Sequence, residues 1–340
     1  MPDLKKYYTV DEISPGLLRG IQRRVEPKQR RILDFAGVRT HSEMIRRRIF
    51  IDDPRKLADL RAYTDPSVKM QGLETERQVV DPFHLKNHFE FDLESEFTRK
   101  RGGEIEIASE GLVHSEQNVL EPARRNMYVY ALLEMLNTQT FAYDDPDKGE
   151  LVLDYSDHIG ALPDPANKLG SNSFDAYAYT RTMKQNFYDM TGMIPDLAFM
   201  NPSVANPFIN LDKVAAKYEP QAPRDPDPSG ETFEEFTFNG IRFIVLYDQY
   251  PDQSGTLQPA IKNKHMAVTV SEVEGQSGAN QNPFIFDKME NDENEGDADQ
   301  PFYEVKEIDN DPPKAGNFMY DNLVPGVSKK KIAAMWEVQQ

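Results

Sequence analysis

Four carboxylates fall within seven residues of the stretch "FAYDDPDKGELVLDYS": Asp144, Asp145, Asp147 and Glu150 surround Lys148 and Gly149. Oxygen side chains at this density ligate a hard cation such as calcium, or act as an acid–base pair. A helix–loop–helix calcium site needs oxygen ligands at positions 1, 3 and 5, glycine at 6 and glutamate at 12. With Asp144 first, Gly149 falls on 6, but Pro146 and Lys148 stand at 3 and 5 and Tyr155 at 12. With Asp145 first, Asp147 fits 3, and Gly149, Glu150 and Ser156 spoil 5, 6 and 12. Neither register coordinates. A turn needs only Asp-Pro and a glycine able to take positive φ, and both are present. The expectation is a turn without metal.

Six histidines are the other candidates: His41, His84, His88, His114, His158 and His265. Only His84 and His88 have i, i+4 spacing, and they lack the glutamate of a zinc-protease helix. They fall in an alternating segment that reads as a strand, so surface histidines are expected. The chain has no cysteine, which excludes disulfides, thiolate zinc sites and thiol catalysis and fits a reducing cytosol. It has no Gly-x-Ser-x-Gly elbow, phosphate loop or dinucleotide fingerprint. The sequence therefore offers no catalytic, cofactor-binding or metal residue, and an enzyme is not expected. The single tryptophan, Trp336, lies in an apolar run and reads as core.

Charge is uneven. The chain carries a formal −18 over 340 residues. Residues 1–50 hold 12 Lys/Arg against 6 Asp/Glu, or +6, which leaves −24 for the rest. Phe286 to Pro312 holds 11 acids and 2 lysines. This reads either as a solvated face with an acidic loop or as parts of the chain meeting different surroundings. The basic stretches "RRVEPKQRR" and "MIRRRIF" have no interleaved aromatics, so they fit non-specific phosphate contact or an arginine-rich interface. No apolar run approaches the roughly 18 residues of a membrane span, and "MPDLKKYYTVDEIS" has no signal-peptide core.

The elements that position these residues follow from periodicity. Residues 1–50 read as short amphipathic helical pieces, too short to stand alone. Residues 51–98 are polar and end in an alternation, with Phe89, Phe91 and Leu93 against Glu90, Asp92 and Glu94, which reads as a strand with one wet face. A hairpin of that size cannot build its own core and must lean on something such as another subunit. A helix of roughly 40 Å is expected over about 116–142, capped by Ser115 or Asn118 with Pro122 in its first turn. "ELVLDYS" reads as a strand. A second helix runs from Ser173 as cap to Gly192 as stop, followed by the buried strand "LAFM" and the helix "SVANPFINLDKVAAKY". Asn239-Gly240 predicts a hairpin. "NKHMAVTV", "NPFIFDKM" and "KKIAAMWEVQ" complete the strands.

That order resembles the major capsid proteins of tailed bacteriophages, in the lambda-type (capsid protein E) branch of the Hong Kong 97 capsid fold. The likeness is carried by "RRNMYVYALLEMLNTQTFAYDDPDKGELVLDYS", by "FNGIRFIVLYDQY", and by "LADLRAYTDPSVKMQGLE" running to "HLKNHFEFD". It implies an α+β fold with an N-terminal arm (1–45) and an extended β-hairpin loop lying over a neighbour (46–98). It further implies a peripheral domain with a spine helix (99–194 and 326–340) and an axial domain (195–325). The implied function is a shell protein that forms hexamers and pentamers in an icosahedral lattice around double-stranded DNA, contacted non-specifically. A portal, a separate scaffold protein and a decoration protein are the implied partners, with assembly in the host cytoplasm and the virion as destination. Some relatives weld subunits through a Lys–Asn bond. Lys69 lies in the loop without a matching acceptor, so that chemistry is not carried over. Two alternatives stand beside this reading, an encapsulin-type nanocompartment and a carboxylate-dependent hydrolase.

Overall fold

The computed structural model describes residues 31–41, 45–51, 74–80, 82–92, 97–99, 105–107, 115–145, 149–163, 168–171, 174–215, 233–247, 249–251, 256–273, 276–289, 301–310 and 313–339. Helix and sheet mix along the chain, as an α+β fold requires.

Two sheets carry the architecture. The first has five strands built around a 15-residue strand, Pro313–Val327. Phe83–Asp92 and Phe302–Asn310 pair with it antiparallel, and so does Phe284–Met289 near its far end. Ala36–His41 joins Phe284–Met289 in parallel. The second sheet has six strands in the order Phe233–Phe238, Ile241–Leu246, Leu197–Met200, His265–Thr269, Ala333–Glu337, Ile159–Ala161.

Helix α1, Glu121–Thr138, packs on the first sheet, with the Tyr128 ring 4.6 Å from Phe286. It buries Val129, Ala131, Leu132, Leu133, Met135 and Leu136. Helices α2, Ala176–Thr191, and α3, Pro202–Ile209, cover the second sheet. Tyr179 of α2 stacks on Trp336 at 4.4 Å and 9°. Phe208 of α3 sits among Phe236, Phe238 and Phe243. Each such aromatic contributes roughly 1.5–3 kcal/mol by leaving water.

Several expected elements appear as read. Asn239 and Gly240 take φ 51° and 71°, the mirror-image turn that joins two twisted strands. Gly192 closes α2 at φ 73°. "LAFM" is fully buried, and the returning strand pairs both with His265–Thr269 and with Ile159–Ala161.

Other readings are corrected. The first 50 residues are not helical where described beyond the short turn Arg31–Phe35: Ala36–His41 and Ile45–Ile51 are strands. Ile45, Ile49 and Ile51 fit a period of two as well as a helical one, and β-branched residues favour the pleat. The long helix ends at Thr138, not at 142. Gln139 turns left-handed at φ 60°, while the Thr138 hydroxyl donates to the Glu134 carbonyl at 2.8 Å and accepts from the Thr140 N–H at 3.2 Å. Gln139 thus takes the left-handed position usually given to glycine, with the Thr138 hydroxyl bracing the turn. Before α1, Glu116–Leu120 winds as a π-turn, and the Glu121 N–H reaches the Glu116 carbonyl. Pro122 lacks an N–H and crowds the carbonyl four residues back, so the turn widens. Ser115 does not cap the helix; it is buried and accepts from the Asn317 amide at 3.0 Å. The cap of α2 is Asp175, which accepts from the N–H groups of Tyr177 and Ala178. The acidic "FYEVKEIDN" is a strand rather than part of a loop, and "KAGNFMYDNLVPGV", to which periodicity assigns no element, is a strand too.

Candidate functional site

The acidic cluster lies on a hairpin. Thr140–Asp145 pairs with Gly149–Asp154, so Asp144 faces Glu150 and Asp145 faces Gly149 in the ladder. Residues 146–148, with Asp147 and Lys148, lie outside the described residues. His84 and His88 fall opposite Asn322 and Phe318 along one strand, about 13 Å apart at 3.3 Å per residue, too far to share one ion. His88 stacks on Phe318 at 4.9 Å and stands 3.5 Å from Glu90. His265 Nδ1 lies 2.8 Å from the Asn263 carbonyl. His158 is buried beside Tyr155, and its carbonyl accepts from the Lys331 N–H at 2.7 Å. His114 and Lys69 lie outside the described residues. Trp336 is core, and its indole donates to the Pro163 carbonyl at 2.8 Å. Among the described residues no three His, Asp or Glu side chains converge as metal ligands, and no described helix is long and apolar enough to cross a membrane.

What the structure does gather is a charged knot between α1 and the first sheet. The strand Phe284–Met289 supplies Asp287 and Lys288, which as neighbours on a strand point to opposite faces. On the α1 side, Lys288 Nζ donates to Asp321 Oδ1 at 2.8 Å, with both side chains at most 2% exposed. Asp321 Oδ2 accepts from the Tyr128 hydroxyl at 2.9 Å and from Arg124 Nη1 at 3.3 Å. Arg124 also donates twice to Glu121 Oε2, at 3.1 and 3.0 Å. Glu121 Oε1 takes the Tyr303 hydroxyl at 2.6 Å. On the other face, Asp287 accepts a two-pronged contact from Arg39, at 2.7 and 2.9 Å, and lies 2.9 Å from His41 Nε2. Asn322 clamps Met289 both ways, accepting from its N–H at 2.6 Å and donating to its carbonyl at 3.1 Å. The knot thus ties together Ala36–His41, Phe284–Met289, Phe302–Asn310, Pro313–Val327 and α1.

The electrostatics follow from burial. Desolvation works against the Arg124 charge, but Glu121, Tyr128 and Asp321 outweigh it and push its pKa up. Burial first, then the Asp321 charge, holds the Tyr128 phenol well above its usual range. Burial and then Glu121 do the same to Tyr303. Burial raises Glu116, against a lowering contact from the Asn317 amide. The Tyr128 and Tyr303 phenols therefore stay donors and the Arg124 guanidinium stays charged, so this face of the knot acts as a fixed brace. Nothing in the sequence reading pointed to Arg124, Asp321 or Tyr303. The available signal was an Asp-Lys pair inside the apolar run "PFIFDKM", because a buried strand carries charges only when they are paired.

Comparison with known proteins gives a match to one family model over part of the chain. Residues 159–319 match the model described as phage major capsid protein E. No curated protein matches the chain in sequence. Among solved structures, the chain is similar to one described as the capsid protein of a prophage of E. coli CFT073, at 14% identity and TM-score 0.56, covering 95% of this chain and 98% of that one. It is also similar to a phage-related protein from Bordetella bronchiseptica RB50, at 12% identity and TM-score 0.54, covering 95% and 96%. At these identities the structures speak to the fold, which is the Hong Kong 97 capsid fold.

Proposed function

We infer that this chain is a major capsid protein of the phage capsid protein E family, whose copies close into the icosahedral shell of a tailed phage. The observation that carries this is the family match over 159–319, which runs from the last strand of the six-stranded sheet into the long strand of the other. The protein is a component of the virion, and its work is structural.

The two sheets suggest how that work is divided. The first sheet and α1 form the peripheral part, with α1 as spine and the charged knot as its brace. The second sheet with α2 and α3 forms the axial part, which gathers around the five-fold and six-fold axes. In this division α2 and the strand Ala333–Glu337 go with the axial sheet, while Phe302–Asn310 and Pro313–Val327 go with the spine. The paired strands Ile45–Ile51 and Glu74–Val80 form the base of the extended hairpin; residues 52–73, which this reading assigns to contact with a neighbouring copy, lie outside the described residues. Phe83–Asp92 does not need a neighbour to lean on, since it pairs with its own chain's long strand over ten positions. A portal, a separate scaffold and a decoration protein complete the particle, which assembles in the host cytoplasm. An acidic body keeps packaged DNA from sticking to its container, because like charges repel and only weak, non-specific contacts survive.

Negative-stain microscopy of the purified protein tests the reading. Closed shells are the expected result. Protein that stays monomeric at every concentration and ionic strength would overturn it. Shells filled with a protein cargo and free of nucleic acid, when recovered from infected or induced cells, would instead indicate an encapsulin-type compartment.

A further inference from the structure

Asn317 is fully buried in the long strand Pro313–Val327, yet its amide is only half used. The Nδ2 group donates to Ser115 Oγ at 3.0 Å and to Glu116 Oε1 at 3.2 Å. The Oδ1 atom on the same amide accepts from no donor among the described residues. A buried acceptor left unpaired is costly. An ionised carboxylate cannot satisfy it, because it only accepts. A protonated carboxyl can: it pairs with a primary amide along both edges, its C=O accepting from Nδ2 and its O–H donating to Oδ1. The carboxyl already in place is Glu116, part-buried in the π-turn Glu116–Leu120 that leads into α1. Burial is the main cause that favours its proton, and Glu121, of like charge, adds to it. Glu121 is itself gripped by Arg124 and takes the Tyr303 hydroxyl, and the Glu116 charge reaches Tyr303 as well. The strand Phe83–Asp92 also packs on the turn. It sets Phe89 opposite Asn317, and the other residues on that face, Phe83, Leu85 and Asn87, do not titrate.

We propose that Glu116 and Asn317 form a proton-operated latch between the entry of α1 and the first sheet. With its proton, Glu116 closes on the amide and holds the π-turn against the long strand. Without it, a buried charge and an unpaired acceptor face each other, and the turn opens to bring the carboxylate to water. The backbone bond from the Glu121 N–H to the Glu116 carbonyl closes the turn, and opening breaks it. The charged knot one turn further on stays tied, so the motion is confined to the start of the helix. The latch belongs to the single subunit and stands whether or not copies close into shells.

Hydrogen-exchange mass spectrometry of the full chain, from about pH 4 to about pH 8 across the upper side of the ordinary carboxylate range near 4.3, tests it. After division by the intrinsic rate at each pH, residues 116–125 of the native chain should exchange at least tenfold faster at the alkaline end. Glu116→Gln offers a donor and an acceptor at every pH. That variant should match the native chain at the acid end and stay protected throughout. Infrared difference spectra of the native chain against Glu116→Gln give a second reading: the band of a protonated carboxyl should belong to the native chain and persist above the ordinary carboxylate range. The same pH profile in both chains, native protection that is equal at both ends, or a carboxyl band that titrates in the ordinary range would each overturn the proposal.

Discussion

Asp321 is 3% exposed and meets both Lys288 and Arg124. Taking these charges out of water is costly, and their mutual attraction roughly offsets that cost. Removing one partner is different, because it strands the others. Asp321→Ala is expected to destabilise the subunit by about 3–5 kcal/mol, read as a lower urea midpoint with unchanged slope. Joint replacement of Lys288 and Asp321 by Met and Leu should cost far less than Asp321→Ala alone; equal losses would mean that the knot is ordinary packing. Glu116 gives a pH-dependent companion. Burial raises its folded pKa above the unfolded value, so its contribution favours folding below the usual carboxylate range of about 4.3. That contribution is lost as pH rises through the folded pKa. Glu116→Gln keeps an acceptor for Asn317 and removes the charge. The variant should match the native chain in thermal melts near pH 4 and exceed it at neutral pH, and a constant difference across pH would contradict the burial argument.

At the scale of elements, close approach matters more than propensity. Gly37 sits in the strand beside Phe284–Met289, and a Cβ there would lie 2.6 Å from the Ala279 carbonyl oxygen and 2.9 Å from its Cα. Backbone cannot yield as a side-chain tip does. Gly37→Ala should therefore cost about 1–3 kcal/mol, and should weaken the Arg39–Asp287 contact two residues on, seen as faster amide exchange in Ala36–His41. The same strand shows what the sequence could and could not say. Alternation exposed Phe83–Asp92, Asn-Gly fixed one hairpin, and the apolar runs around Phe199, Phe243 and Trp336 announced the second sheet. "AGVRTH" and "KAGNFMYDNLVPGV" gave no such signal. They interleave glycine, proline and paired polar groups, and they are strands because Asp287, Asn317, Asp321 and Asn322 find partners distant in sequence. The charged knot was illegible for the same reason: its members lie on five elements, and no local period links them.

For the whole molecule, the acidic hairpin and the arm make opposite predictions. Replacing Asp144, Asp145 and Asp147 together by Asn should leave the melting temperature and shell formation unchanged, with or without calcium. A calcium-dependent shift would restore the metal reading that spacing rejects. The arm should matter, and the structure says where it can be cut. Ile32 and Phe35 are core, and Arg39 and His41 face the fully buried Asp287. Deleting residues 1–30 spares all of these, so the subunit should melt like the full chain yet fail to build regular shells, because its copies have lost the basic arm that the shell-forming reading assigns to contacts between subunits. Deleting 1–45 also removes a strand from the first sheet and leaves Asp287 buried without Arg39, a loss of about 3–5 kcal/mol before any lost packing is counted. That chain should be largely unfolded or insoluble. Regular shells from the shorter deletion would show that the arm is dispensable. A stable, folded product of the longer one would show that Ala36–His41 belongs functionally to the arm and not to the fold.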